Sequence, residues 1–266
     1  MTLLRAIILG IIQGLTEFLP VSSTAHLTIA EWLLLGAPMP LVFDVLLHVG
    51  TLAAVVVYFR GDILTMLKGM LGRDSAGLRL AWLLFLAMVP TGLFAIATMP
   101  LKESAKNHMW VYGACLVITA AMLWGANLLA KRREGKAIQD MNALDALCVG
   151  AIQGLGGGFG LSRSGSTISV GVFRGIGLSE ATRFSFLLGI PTILAAALVE
   201  GRHLLAPQEV AGVPLLPCIV GILAAGVSGY FAVGLLDRLL KRPRLGGFAV
   251  YCAVAGVAVV LTGIFG

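Results

Sequence analysis

Between Leu41 and Phe59 the chain carries a single charged side chain, Asp44, and the rest of the stretch is almost wholly apolar or small. Five more stretches have the same character: roughly Leu80–Met99, Trp110–Ala130, Phe184–Glu200, Leu215–Leu236 and Phe248–Phe265. Each approaches the roughly 20 residues that a helix needs to cross a bilayer. Charged residues make up 12% of the sequence, against about 25% in an ordinary soluble domain. That is too little to cover a water-facing surface, so a soluble globule is excluded. The same apolarity excludes disorder. In lipid every backbone group must be satisfied within the chain, and the expectation is an all-α polytopic membrane protein.

The net charge of +6 points to topology and not to nucleic acid. Lys and Arg gather in Arg60–Arg79, Lys131–Asp145 and Asp237–Arg244, while Pro100–His108 and Gly201–Pro214 are poor in them. Basic loops lie on the cytoplasmic side, so the basic-poor loops and both termini are expected outside. Cys115, Cys148, Cys218 and Cys252 lie in apolar stretches without a CxxC pair and read as small hydrophobes. The start, Met1–Ile8, has one positive charge and an apolar run but no cleavage site after it, and is read as mature protein.

Two apolar stretches do not read as plain spans. One runs from about 4 to 36 and is interrupted by Glu17, Pro20, Ser22, Ser23, Thr24 and His26. The other runs from about 145 to 180 and is interrupted by the glycines from Gly156 and by Ser162-Arg163-Ser164-Gly165-Ser166-Thr167. Such groups survive at membrane depth only where protein or water satisfies them. Each stretch is expected to be a re-entrant helical hairpin, the first entering from outside and the second from the cytoplasm. Gly10-Ile-Ile-Gln-Gly-Leu15 recurs as Gly150-Ala-Ile-Gln-Gly-Leu155, and Ser22 falls on Ser162 at the same offset. The reading is a duplication within one membrane domain, 1–140 and 141–266, each half with one hairpin and three transmembrane helices. An odd number of spans per half inverts the second copy, and inverted repeats place their site where the halves meet.

The polar centres carry the chemistry. Gln13 and Glu17 are four apart and share a helix face. Pro20 ends that helix, and Ser22-Ser23-Thr24 form an N-cap for the next. Ser23 and His26 are then neighbours three apart on its first turn. Ser22 and Thr24 read as caps or, with Gln13, as substrate-binding groups, whereas an ionisable group at membrane depth, such as Glu17 or His26, is a functional candidate by default. In the second centre the glycines permit a phosphate-binding nest, and Arg163 offers a bidentate fork suited to phosphate. Its alternative role is a counter-ion to Glu17. Ser162, Ser164 and Thr167 add hydroxyl donors. Together the centres suit a phosphorylated amphiphile, with carboxylates holding a divalent cation on a pyrophosphate. Asp44, His48, Glu180 and Arg183 lie near span ends and rank second.

Gly14-Leu-Thr-Glu17-Phe-Leu-Pro-Val-Ser22-Ser23-Thr24-Ala-His26 resembles the first signature of the bacterial undecaprenyl-pyrophosphate phosphatase (bacitracin-resistance) family, and Ser162–Thr167 resembles its second. Arg183–Pro191 and Phe43–Thr51 are similar to further family blocks, so the resemblance spans essentially the whole chain. It implies a phosphatase of the bacterial cytoplasmic (inner) membrane that takes the terminal phosphate from undecaprenyl pyrophosphate on the outer face, regenerating the carrier for peptidoglycan. It also implies dependence on a divalent cation (Mg or Ca), Ser23 as nucleophile with His26 assisting, Glu17 as metal ligand or base, and Arg163, Ser162 and Thr167 on phosphate. An activated water remains the alternative nucleophile. Gln13 is the neutral choice where the family has an acid or Gln, and Phe159-Gly160 stands where it has Pro-Gly. A lipid flippase is the alternative function, since broken helices in inverted repeats also suit alternating access. A second copy of the chain is an admissible partner.

Overall fold

The computed structural model describes residues 2–36, 39–105, 108–157, 159–202 and 214–265. Gly158 and parts of the loops at Pro100–His108 and Gly201–Pro214 lie outside the described residues. Among those described, the chain is helical, and its one strand-like feature is an isolated bridge between Lys136 and Ile176. In chain order the helices are α1 (Leu3–Phe18), α2 (Ser23–Leu35), α3 (Leu41–Tyr58), α4 (Arg60–Met70), α5 (Ser75–Ala97), α6 (Met99–Ala105), α7 (Met109–Arg132), α8 (Ala143–Gly156), α9 (Arg163–Phe173), α10 (Leu178–Gly201), α11 (Leu215–Leu239) and α12 (Gly246–Phe265).

Five of these, α3, α5, α7, α10 and α11, are long and apolar enough to cross a membrane. The sixth expected span forms α12, whose apolar part Gly246–Thr262 is shorter. The protein is an all-α polytopic membrane protein. Helix starts reach past the apolar runs because polar residues cap them. Asp74 accepts from the Gly77 N–H at 2.9 Å and starts α5 five residues before Leu80. Asn142 and Asp145 form a reciprocal capping box at the start of α8, which satisfies two donors that a helix N-terminus leaves open.

Both polar interruptions are breaks between short helices that pack on each other, α1 on α2 and α8 on α9. The first break holds Ser22 at φ +69° and the second Gly160 at φ +88°. Glycine enters the left-handed region freely, whereas a serine there costs about 1–2 kcal/mol.

The fold divides into two compact units. The first comprises Met1–Leu19, Ser23–Arg60 and Gly189–Leu236. Its core gathers Ala6 and Leu9 of α1, Leu27 and Ala30 of α2, Phe43 and Leu47 of α3, and Cys218 and Ala225 of α11. Here α1 meets α11 along glycines: a Cβ at Gly10 would stand 2.6 Å from the Gly221 carbonyl, and one at Gly14 would stand 2.5 Å from that of Ala225. The second unit comprises Pro20–Ser22, Gly61–Leu188 and Asp237–Gly266. Within it α8 meets α5 in the same way, and a Cβ at Gly154 would stand 2.5 Å from the Thr91 carbonyl. Gly150 lies against Ala87, and Thr91 donates to the Gly150 carbonyl at 3.0 Å. The glycines of the two matched hexapeptides thus serve the same purpose, backbone-to-backbone approach of helices. Such approach is how membrane helices gain packing where no hydrophobic effect drives them together. A third seam of this kind joins α7 to α12 through Gly113 and Gly256.

Candidate active site

The first centre is built where α1 ends, α2 begins and α3 passes. Pro20 follows α1 at once, and a proline ring cannot continue a helix without losing a hydrogen bond. The chain turns at Ser22 and restarts at Ser23. The turn carries Ser23 back over the last turn of α1, where Ser23 Oγ donates to Glu17 Oε2 at 2.7 Å. Gln13, one turn earlier on α1, donates to the same oxygen through Nε2 at 3.2 Å. Gln13 and Glu17 are both buried and Ser23 is half-buried. A carboxylate out of water needs such donors, because an unpaired buried charge is strongly penalised.

From α3, His48 brings Nε2 to 3.9 Å from Glu17 Oε2. Its Nδ1 lies 2.9 Å from the Asp44 carbonyl oxygen and 3.4 Å from Asp44 Oδ1. The sequence ranks His48 second. The structure places it beside Glu17. The Asp44/His48 spacing of four was the available signal, but nothing local says that this face of α3 meets α1. His26 is half-buried one turn along α2 from Ser23. Ser22 is buried in the turn, and Thr24 is exposed, its carbonyl accepting from the Thr28 hydroxyl at 2.9 Å.

The second centre sits at the start of α9. Ser162 precedes the helix and accepts from the Gly165 N–H at 3.1 Å, while its own N–H donates to Thr119 Oγ1 on α7 at 3.2 Å. Arg163 is the first helical residue and is half-buried. Ser164 Oγ lies 3.4 Å from Ser162 Oγ. Thr167 donates to the Arg163 carbonyl at 2.7 Å and lies 2.6 Å from Ser185 Oγ. Its hydroxyl is thus engaged within the protein. Ser185, which closes this polar knot from α10, was invisible in the sequence among its apolar neighbours. A helix start with an Arg and hydroxyl side chains has the composition of an anion site.

A third polar cluster lies away from both centres and was not foreseen. Asp145 is fully buried and pairs with Lys136 and, at 3.0 Å, with Arg174. Burial pushes its carboxyl up. The Lys136 ammonium, the Asn142 N–H and Arg174 together outweigh that and hold it below the ordinary carboxylate range. Arg183 likewise pairs with Asp62, and lies 3.9 Å from Glu180. These are structural ion pairs at helix ends.

Residues 6–258 match the model of one protein family, described as bacitracin resistance protein BacA. Among individual relatives, the curated undecaprenyl-diphosphatase of Carboxydothermus hydrogenoformans is 37% identical over 260 residues, covering 97% of this chain and 96% of that one. The undecaprenyl-diphosphatase of Alkaliphilus metalliredigens is 39% identical over 276 residues, with 98% of each covered. That of Pelobacter propionicus is 37% identical over the whole of both chains.

Proposed function

The chain belongs to the bacitracin resistance protein BacA family, and on that premise we propose that it is a membrane-embedded undecaprenyl-diphosphatase. It hydrolyses undecaprenyl pyrophosphate to undecaprenyl phosphate and inorganic phosphate, and so recycles the lipid carrier for cell-wall synthesis. The observation that carries this reading is the Ser23 hydroxyl aimed at the buried Glu17 carboxylate. A nucleophilic hydroxyl needs an adjacent base to react near neutral pH, and here one is within hydrogen-bond reach. The flippase alternative finds no counterpart in the names of the relatives.

In the reaction Ser23 Oγ attacks the terminal phosphorus and its proton passes to Glu17 Oε2. The bond from that phosphorus to the bridging oxygen breaks, and undecaprenyl phosphate leaves, its bridging oxygen protonated by His26. Water then cleaves the phosphoserine, releasing phosphate and restoring Ser23. In the second centre Arg163 offers its planar fork to a phosphate group, with Ser162 and Ser164 beside it.

The resemblance implies a divalent cation. Among the described residues, no group of three or more His, Cys, Asp or Glu side chains is placed to hold a metal. The first centre does offer hard oxygen donors. Gln13 Oε1 is buried without a hydrogen-bond partner, and the Nε2 of the same amide donates to Glu17 Oε2. This set fits a Mg or Ca ion that draws its remaining ligands from the pyrophosphate and water. When bound, the cation offsets charge on the phosphate oxygens. The distribution of Lys and Arg supports an active site on the outer face of the cytoplasmic membrane. An impermeant reagent that labels a Glu134→Cys variant in intact cells overturns that orientation.

The test of the function is phosphate release from undecaprenyl pyrophosphate by purified protein in detergent micelles, where no flipping is possible. Release that depends on Glu17 is expected; its absence from folded protein rejects the reading.

A further inference from the structure

His48 has no part in the reaction as derived above, yet its ring stands between two carboxyl groups. Its Nδ1 edge faces Asp44, four residues earlier on α3, at 2.9 Å from the carbonyl oxygen and 3.4 Å from Oδ1. Its Nε2 edge faces Glu17 Oε2 at 3.9 Å. Acceptors stand at both edges of the ring, so the form that satisfies them carries an N–H on each nitrogen, and the two contacts on the Nδ1 side fix its plane. The edge left over is the one turned to Glu17.

Glu17 is a long side chain whose terminal torsion is soft. Its Oε2 is the atom on which the Ser23 hydroxyl converges. Gln13 comes from the same helix and Ser23 from the hairpin turn, so neither ties the carboxylate to the long spans. His48 does, because α3 is a rod of 18 residues, about 27 Å long at about 1.5 Å per residue. We infer that His48 is a positioning residue: through Nε2 it holds the Glu17 carboxylate in the orientation that receives the Ser23 proton, with Asp44 bracing the ring from behind. The inference rests on the reading that Glu17 and Ser23 perform the chemistry.

Two substitutions separate this role from mere packing. Gln places its amide nitrogen at about the reach of the ring Nε2, so His48→Gln keeps the contact to Glu17. Asn reproduces only the Nδ1 edge, so His48→Asn keeps the contact to Asp44 and loses Glu17. Both are polar and similar in helix tolerance. Misplacing a reacting group by about 1 Å costs up to ~100-fold in rate, so His48→Asn is expected to lower kcat by roughly 10- to 100-fold, with KM within about twofold. His48→Gln is expected to retain most of kcat. Unfolding midpoints in detergent are expected to be alike for the two variants. The measurement is phosphate release by the purified full chain at saturating Mg, with Glu17→Gln assayed alongside. Equal kcat in both variants, whether intact or lost, overturns the inference, and so does a loss confined to KM. Full activity in Glu17→Gln instead overturns the underlying reading of the site.

Discussion

Gln13 and Gln153 occupy the same place in matched hexapeptides, one on each hairpin, and they do different work. On α1 the Gln13 amide donates to the Glu17 carboxylate at 3.2 Å. On α8 the Gln153 amide donates to the Thr91 hydroxyl on α5 at 3.3 Å, and the residue four further on is Gly157, not an acid. The serines that precede the second helix of each hairpin diverge similarly. Ser22 is held at φ +69° and leads into Ser23, which reaches back to Glu17. Ser162 sits at φ −61°, caps α9 and leads into Arg163. A shared helix–break–helix frame thus carries an acid and a hydroxyl in one copy and a cation in the other. The glycines that seat each short helix on a long span are common to both. The strained φ of Ser22, on the reactive side only, agrees with the tendency of such strain to collect at functional sites.

The sharpest way to break this contrast is to remove the reactive pair. Ser23→Ala is expected to cut turnover by about 10⁴-fold or more, and adding Glu17→Gln to lower it little further, because residues that act as a unit give non-additive losses. Multiplying losses in the double variant contradict a shared step. On the other hairpin, Arg163→Lys keeps the charge but loses the fork. It is expected to cost about 2–4 kcal/mol of transition-state stabilisation, read as kcat/KM for phosphate release. Near-normal turnover removes Arg163 from the phosphate.

The two glutamines sharpen the contrast further. Gln13→Ala is expected to lower turnover roughly tenfold with little change in unfolding midpoint. Gln153→Ala is expected to leave turnover intact and cost about 1–2 kcal/mol of stability, the usual price of orphaning a buried partner. A further effect, on stability alone, lies outside both centres. Asp145→Asn is expected to cost about 1–3 kcal/mol, since the partners it leaves are part-exposed. Because the folded carboxyl titrates below its unfolded value, its stabilisation is complete above about pH 4, the ordinary carboxylate range, and is lost as pH falls through the folded value. Unfolding midpoints of wild type and variant should therefore converge only in strong acid.

Much of this was legible in the sequence because it is local. Apolar run length located the spans, and Pro20 and the glycine run located the breaks. The Gln13/Glu17 face follows from helical periodicity alone. What was not legible depends on elements distant along the chain. His48 meets Glu17 from α3, Ser185 meets Thr167 from α10, and Asp62 meets Arg183 across more than a hundred residues. Periodicity within one helix says which residues share a face, not which helix that face will meet. The basic stretch Arg60–Arg79 also hid α4, whose short, charge-flanked sequence lacks a long apolar run.

The division of labour between the hairpins is tested most directly by binding, apart from turnover. A non-hydrolysable polyprenyl methylene-diphosphonate can be titrated against purified wild type, Ser23→Ala and Arg163→Lys in the same detergent. The account predicts that Ser23→Ala binds it within a few-fold of wild type while Arg163→Lys binds at least about tenfold more weakly. Wild-type affinity in Arg163→Lys, or an equal loss in both variants, contradicts it.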